Sequence, residues 1–268
     1  MKIIYDYNEI NFDFFSTDLF NYGAGLFETI KVINGKAIFF EEHLLRMQKS
    51  IADLGFGVSL NFEKISESAR FVIERDSISL GSLKINFFKI EEGSFFLIRC
   101  FEKKYDKKLY SDGVELKISS LRKNEHSQIC YHKTNNYMEN IIEKREAEKE
   151  GFFDSLFFNT SGFLAETTVA NIFFIKDGRF YTPHEKAGIL PGIIRGKVIE
   201  IIKKDNFIEE GFFTKKIIEE SQGAFITNSL MGIMPVKKIG EREFDSGNKE
   251  TLFLMKEYED VLHLYAGM

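Results

Sequence analysis

The stretch 171-NIFFIKDGRFYT-182 reads as two short strands reversed at Asp177-Gly178. An Asp-Gly pair between runs of β-branched and aromatic residues is a strong local signal for a hairpin, because both turn positions require a positive φ. Working outward, further strands are expected at VELKISS (114–120), DSLFFN (154–159) and GAFITN (223–228), with helices over about 137–150 and 193–204. Short strands mixed with helices and paired largely antiparallel describe an α+β fold.

The N-terminal half repeats the mixture. LFETIKVI (26–33), AIFF (37–40), LKINFFKI (83–90) and SFFLIRC (94–100) read as strands. Between the second and third lie two amphipathic patterns, EEHLLRMQKSIADLGF (41–56) and NFEKISESARFVIERD (61–76). The first sets Leu44, Met47, Ile51 and Leu54 on one face, with Gly55 as its C-terminal cap. FEKKYDKKLYSDG (101–113) is polar and follows neither hydrophobic period, so it reads as a linker. The resulting division is an N-terminal domain over 1–103, a linker over 104–112 and a C-terminal domain over 113–268, in keeping with a length of 268 residues.

Composition narrows the function. With 44% hydrophobic residues, among them 29 Phe and 10 Tyr, the chain can bury a sizeable core. A net charge of -5 with dispersed Lys and Arg carries no footprint for nucleic acid. Two cysteines, Cys100 and Cys130, support neither a disulfide framework nor a metal site. MKIIYDYNEI is interrupted by Asp6 and Glu9 and lacks the apolar centre of an export signal, and no run approaches the roughly 18 apolar residues of a spanning helix. A reducing cytoplasm is the expected location, with neither membrane nor nucleic acid as partner.

Four stretches around the hairpin, and one lysine, carry polar groups that packing does not demand. Glu166, in GFLAETTVANIFF (162–174), lies between apolar runs, and a buried carboxylate needs a cation or hydrogen-bond donors. In GILPGIIRGKVIEII (188–202), Pro191 and Gly192 open a helix, leaving the N–H groups of Gly192, Ile193 and Ile194 as an anion site favoured by the helix dipole. FITNSLMGIMPV (225–236) ends a strand in Thr227, Asn228 and Ser229, which hold an oxyanion or simply cap a turn. Arg46 sits on the first helix, where a solvated side chain is the plainer reading, and Lys133 in YHKTNNY (131–137) precedes the helical MENIIEKREAEKEG. An amine, a carboxylate, an arginine, a helix N-terminus and hydroxyls are what a phosphorylated aldehyde cofactor such as pyridoxal 5'-phosphate requires.

YGAGLFETIKVINGK (22–36), EEHLLRM (41–47), HKTNNY (132–137), GFLAETTVANIFFIKDGRFYTP (162–183), GILPGIIR (188–195) and FITNSLMGIMPV, in this order, resemble the class-IV aminotransferases, the fold-type IV pyridoxal-phosphate enzymes. That family includes branched-chain and D-amino acid aminotransferases and 4-amino-4-deoxychorismate lyases. The resemblance implies a two-domain α+β fold like that of D-amino acid aminotransferase, with a smaller N-terminal α/β domain and a larger C-terminal domain of mixed β structure. It also implies a homodimer whose active site is closed in part by the partner subunit.

For individual residues, the resemblance implies that Lys133 forms the Schiff base and shuttles protons, and that Glu166 pairs with the pyridine nitrogen. Arg46, the backbone N–H groups of Ile193 and Ile194, and the Ser229 hydroxyl would bind the phosphate. Leu190 would lie against the ring, and Tyr137 would hydrogen-bond the phenolic oxygen. The spacing of KTNNY, the wording AETTVANIFF, and TNSLMGIMPV with GLFETI favour the lyase branch over aminotransferases of D- or branched-chain amino acids. Retention of Lys133, Glu166 and Arg46 together speaks against a non-catalytic binder. Gly23-Ala24-Gly25 departs from the family's Gly-Asp-Gly.

Overall fold

The structure, a computed structural model, describes residues 2–4, 21–90 and 93–267; positions 5–10 of the N-terminal stretch discussed above lie outside them. The chain divides into two units, Met1–Lys104 with His132–Asn136 and Leu264–Met268, and Tyr105–Tyr131 with Tyr137–His263.

The first unit is built on a five-stranded sheet in the order β1-β5-β4-β2-β3. Its strands are β1 (Lys2–Ile4), β2 (Gly25–Ile33), β3 (Lys36–Ala37), β4 (Leu80–Ile90) and β5 (Gly93–Glu102). β2 and β3 form a two-residue hairpin in which Asn34 (φ 51°) and Gly35 (φ 72°) both take the positive φ that such a turn needs. Along β2 buried and half-buried residues alternate, so Leu26, Ile30 and Val32 share a face with Leu83, Ile85 and Phe87 of β4 and Phe96 and Ile98 of β5. Helices α1 (Phe40–Asp53) and α2 (Phe62–Arg75) cover that face with Leu44, Met47, Ile51, Ile65 and Val72.

Gly55, at φ 68°, closes α1 as the sequence indicates, and the Asn61 side chain caps α2 by accepting from Lys64 N at 2.9 Å. AIFF is not a strand. Only Ala37 belongs to β3, whereas Ile38 and Phe39 are buried and Phe39, at φ 53° and ψ 37°, turns the chain so that Phe40 opens α1. Glu41 and Glu42 in that first turn suit the positive end of a helix.

The second unit opens with a short helix, α3 (Lys107–Asp112), inside the polar stretch read as a linker; the Asp106 side chain caps it by accepting from Lys108 N at 2.9 Å. Its sheet runs β11-β10-β9-β12-β13-β6-β7-β8, with β14 (Arg242–Glu243) added on β13. The strands are β6 (Val114–Lys123), β7 (Asp154–Asn159), β8 (Leu164–Thr167), β9 (Asn171–Lys176), β10 (Arg179–Pro183), β11 (Ile208–Gly211), β12 (Gly223–Asn228) and β13 (Gly232–Ile239). The β9–β10 hairpin turns at Asp177 (φ 50°) and Gly178 (φ 71°), as expected. β9, β12 and β13 pair antiparallel, while β13–β6 and β6–β7 pair parallel, so the β structure is mixed.

Helices α4 (Met138–Lys149), α5 (Ile193–Asp205), α6 (Lys216–Glu220) and α7 (Lys249–Ala266) complete the chain. The core contains Leu116, Leu156, Ile172, Phe174, Ile226 and Met234, and the Phe173 and Phe225 rings stack at 4.8 Å. Among the described residues no helix is long and apolar enough to cross a membrane.

Ile85 has 0% exposure in the middle of β4. Ile85→Ala should cost about 2–5 kcal/mol, whereas Leu45→Ala on the exposed side of α1 should change stability by less than about 0.5 kcal/mol. Chemical denaturation followed by circular dichroism measures both, and equal losses would place Ile85 outside the core.

Candidate active site

In the first unit the residues 132–136 return to lie along β2. Phe27 N donates to Lys133 O and Asn135 N to Gly25 O, both at 2.9 Å, around an antiparallel bridge between Leu26 and Thr134. His132 meets Ser50 Oγ of α1 at 3.0 Å through Nδ1, and Asn136 Nδ2 donates to Gly23 O at 3.2 Å. At φ 69° Gly23 brings its backbone so close that an added Cβ would stand 2.9 Å from Asn136 Oδ1, which explains a glycine at this turn whatever follows it. With its backbone pinned on both sides, Lys133 holds Nζ 4.4 Å from the centroid of the Phe27 ring.

Arg46 is not a solvated side chain. Its Nε and Nη2 donate to Glu28 Oε1 and Oε2 at 2.9 and 2.6 Å, a two-pronged pair, and His43 Nδ1 lies 2.6 Å from Glu28 Oε2. Glu28 stands between Leu26 and Ile30 at a spacing of two along β2, so it shares their face toward α1, and it is 1% exposed. Burial pushes its carboxyl up, but Arg46 and His43 outweigh burial and hold it at about 2. Burial lowers His43 despite the pull of Glu28, so the neutral ring donates its Nδ1 hydrogen to a carboxylate that can only accept. Glu28 and His43 were not singled out in the sequence; the signal was there, a glutamate at an inward position of an alternating strand.

In the second unit Glu166, on β8, is 6% exposed and held on three sides. Lys123 Nζ pairs with Oε1, while Asn171 Nδ2 and Leu190 N donate to Oε2 at 3.0 and 3.1 Å. Asn171 Nδ2 also donates to Leu190 O at 2.9 Å. A Cβ on Gly192 would come within 2.0 Å of Asn171 Oδ1, so glycine is required where the chain enters α5. Gly192 is the N-cap of α5 without a side-chain cap, leaving the first-turn N–H groups, including those of Ile193 and Ile194, as the positive end of a 13-residue helix. Arg195 in the same turn anchors the helix by donating to Pro183 O and Glu210 Oε2, each at 2.9 Å.

Tyr137 precedes α4 and donates its hydroxyl hydrogen to Thr168 O at 2.5 Å, which leaves the oxygen as an acceptor. Asn140 Nδ2 reaches the same carbonyl at 2.7 Å. Asn228 caps the turn after β12, its Oδ1 accepting from Leu230 N at 3.0 Å and Met231 N at 2.9 Å, and Ser229 sits half-buried inside that turn. Among the described residues, Thr227 Oγ1 is buried without a hydrogen-bond partner. The Cys130 thiol, pushed up to about 11 chiefly by burial, stays neutral and donates to Ser127 O at 2.9 Å. Lys123 and Asn171 escaped sequence reading because their partner is brought by the fold.

The sequence pattern of the amino-transferase class IV family matches residues 25–239. The chain is 25% identical to the aminodeoxychorismate lyase of Bacillus subtilis (strain 168), over 92% of this chain and 90% of that protein. It is 29% identical to a protein of Rickettsia bellii named "Probable branched-chain-amino-acid aminotransferase", over 92% of this chain and 86% of the other. A crystal structure from Legionella pneumophila, "Putative 4-amino-4-deoxychorismate lyase", superposes with a TM-score of 0.89 at 29% identity, over 97% of this chain and 98% of that one.

The Glu28 geometry gives a pH prediction. Because its folded carboxyl sits near 2 instead of 4.5, its stabilisation is complete above about pH 4.5 and is lost as pH falls toward 2. Over that window the wild type should lose about 3 kcal/mol more stability than Glu28→Gln, measured as denaturation midpoints against pH. Parallel curves would show that Glu28 is not the group that titrates.

Proposed function

This chain belongs to the amino-transferase class IV family, and on that premise we propose that it is a pyridoxal 5'-phosphate-dependent 4-amino-4-deoxychorismate lyase forming 4-aminobenzoate and pyruvate for folate synthesis. The observation that carries the cofactor reading is the Glu166 cradle, a buried carboxylate aimed by three donors beside an uncapped helix N-terminus. The donor set fits the group: an amine at Lys133, a carboxylate at Glu166, a guanidinium at Arg46, and backbone N–H groups at Ile193 and Ile194. Ser229 adds a hydroxyl for the phosphate, and Leu190 an apolar side chain for the ring. Tyr137, whose rotatable hydroxyl lies against Thr168 O, would hydrogen-bond the phenolic oxygen of the cofactor.

When bound, pyridoxal phosphate supplies an aldehyde that accepts an amine and a ring that draws electrons from the carbon bearing that amine. The protein does the rest. Glu166 would accept a hydrogen bond from the ring nitrogen, and the N–H groups at the α5 N-terminus would hold the phosphate, the role the family resemblance also gives Arg46. Lys133, whose backbone is held on β2, would take the proton from the amine-bearing ring carbon of the substrate through Nζ. Loss of that proton expels the enolpyruvyl oxygen from the neighbouring carbon and leaves an aromatic ring, and protonation of the expelled enolpyruvate gives pyruvate. The motif spacing and the lyase relatives support this outcome. Transfer of the amino group from a D- or branched-chain amino acid is the second reading, supported by the aminotransferase of Rickettsia bellii.

Product analysis separates the two: 4-aminobenzoate and pyruvate from 4-amino-4-deoxychorismate, against keto acids from a panel of amino acids. The purified protein should show a visible absorption band with added cofactor, and borohydride should remove it while labelling Lys133. Lys133→Ala should abolish the band and activity, and Arg46→Ala should weaken cofactor binding by about 1.5–3 kcal/mol. A colourless wild type would overturn the cofactor assignment. The same reading makes the protein a homodimer with shared active sites; light scattering at assay concentration should give a dimeric mass, and a fully active monomer would refute sharing.

A further inference from the structure

We propose that Lys123 is a positioning residue whose ammonium keeps the Glu166 carboxylate ionised and thereby holds the proton on the cofactor's pyridine nitrogen. This rests on the assignment of Glu166 made above and goes beyond it. Lys123 Nζ pairs with Glu166 Oε1, both side chains being less than a tenth exposed, and Nζ lies 5.7 Å from the centroid of the buried Phe157 ring. Asn171 Nδ2 and Leu190 N occupy Oε2. The ammonium and the two amide donors thus meet different oxygens of one carboxylate, whose acceptor directions are spread around both.

A proton between a carboxylate and a pyridine nitrogen goes to the more basic partner. The cation at Oε1 contacts the carboxylate directly, and a ring nitrogen that pairs with Glu166 as assigned above would meet the cation only across the carboxylate. The cation therefore stabilises the anion more than it penalises a protonated ring. Removing that cation raises the proton affinity of a buried carboxylate, so the proton moves toward Glu166 and the ring loses its pull on electrons. The thiol of Cys130, which feels both charges, remains neutral and does not replace the ammonium.

The lysine's place is fixed by its strand. From Ile118 to Arg122 β6 advances four residues while its partner β7 advances two, from Leu156 to Phe158, so a bulge re-aims the strand end. Thr160 N then donates to Lys123 O at 3.0 Å, and two residues on the Glu125 carboxylate accepts from Thr160 N and Ser161 N at 3.0 and 3.1 Å. The ammonium is thus held before any ligand arrives.

The test is a nitrogen NMR spectrum of the protein loaded with pyridoxal 5'-phosphate isotopically labelled at the pyridine nitrogen. The wild type and Lys123→Arg should give the resonance of a protonated ring. Lys123→Met should move it by at least half of the span toward the unprotonated position at neutral pH. Lys123→Gln, which keeps a donor but no charge, should do the same and serves where the methionine variant fails to fold. A protonated resonance retained in a neutral variant, or an unprotonated ring in the wild type, overturns the proposal while leaving the cofactor assignment intact. Absence of any bound resonance in the wild type overturns the cofactor assignment itself, and this proposal with it.

Discussion

A carboxylate withdrawn from water is costly unless a cation and hydrogen-bond donors replace the water, and each unit of this protein is arranged around one such group. In the first, Glu28 takes the place of an apolar residue on the inward face of β2, so α1 must present His43 and Arg46 at the same level as Leu44 and Met47. That demand fixes the rotation of α1 against the sheet more tightly than apolar packing would. In the second, Asn171 touches both Glu166 and Leu190 O, so the end of β8, the start of β9 and the entrance to α5 move as one piece. Ion pairs of this kind contribute little net stability relative to an apolar core, but they select one arrangement among several of similar packing energy.

What the sequence disclosed, and what it hid, follows the same division. Asp177-Gly178 was legible because the turn chemistry is local, and so was the Leu44, Met47 and Ile51 face of α1, since a period of 3.6 is written in a dozen residues. Gly192 at a helix start was legible for its backbone, though not for the Asn171 side chain that makes glycine obligatory. AIFF misled because its apolar residues are buried at a corner, where Phe39 bends the chain, and burial alone does not distinguish a corner from a strand. α7 was not expected, although Leu254, Tyr258 and Leu262 recur every four residues on its buried side. Lys123 could not be recognised, because the bulge that turns it inward exists only in the pairing of β6 with β7.

The two chemistries that relatives of this chain bring into view make similar demands on the residues described. Both need an amine to exchange with the substrate, a base to remove a proton from the carbon bearing nitrogen, and a ring kept poor in electrons. They part at the next bond: a lyase must let an oxygen leave, whereas an aminotransferase must return a proton to a different atom. That choice belongs to the groups that hold the rest of the substrate, which explains why one fold accommodates both.

The excursion of residues 132–136 onto the edge of β2 carries an evolutionary consequence. In sequence this segment is embedded in the second unit, yet its hydrogen bonds and its lysine belong to the first. A recombination event that exchanged everything after residue 104 for the equivalent part of a relative would import a foreign lysine segment onto a resident β2 edge, opposite a resident Gly23 shaped to its Asn136. Crossovers at that boundary should therefore be selected against unless β2 travels with its docked segment. Gly23 and Asn136 form a compatibility pair that should descend together although 112 intervening residues lie between them.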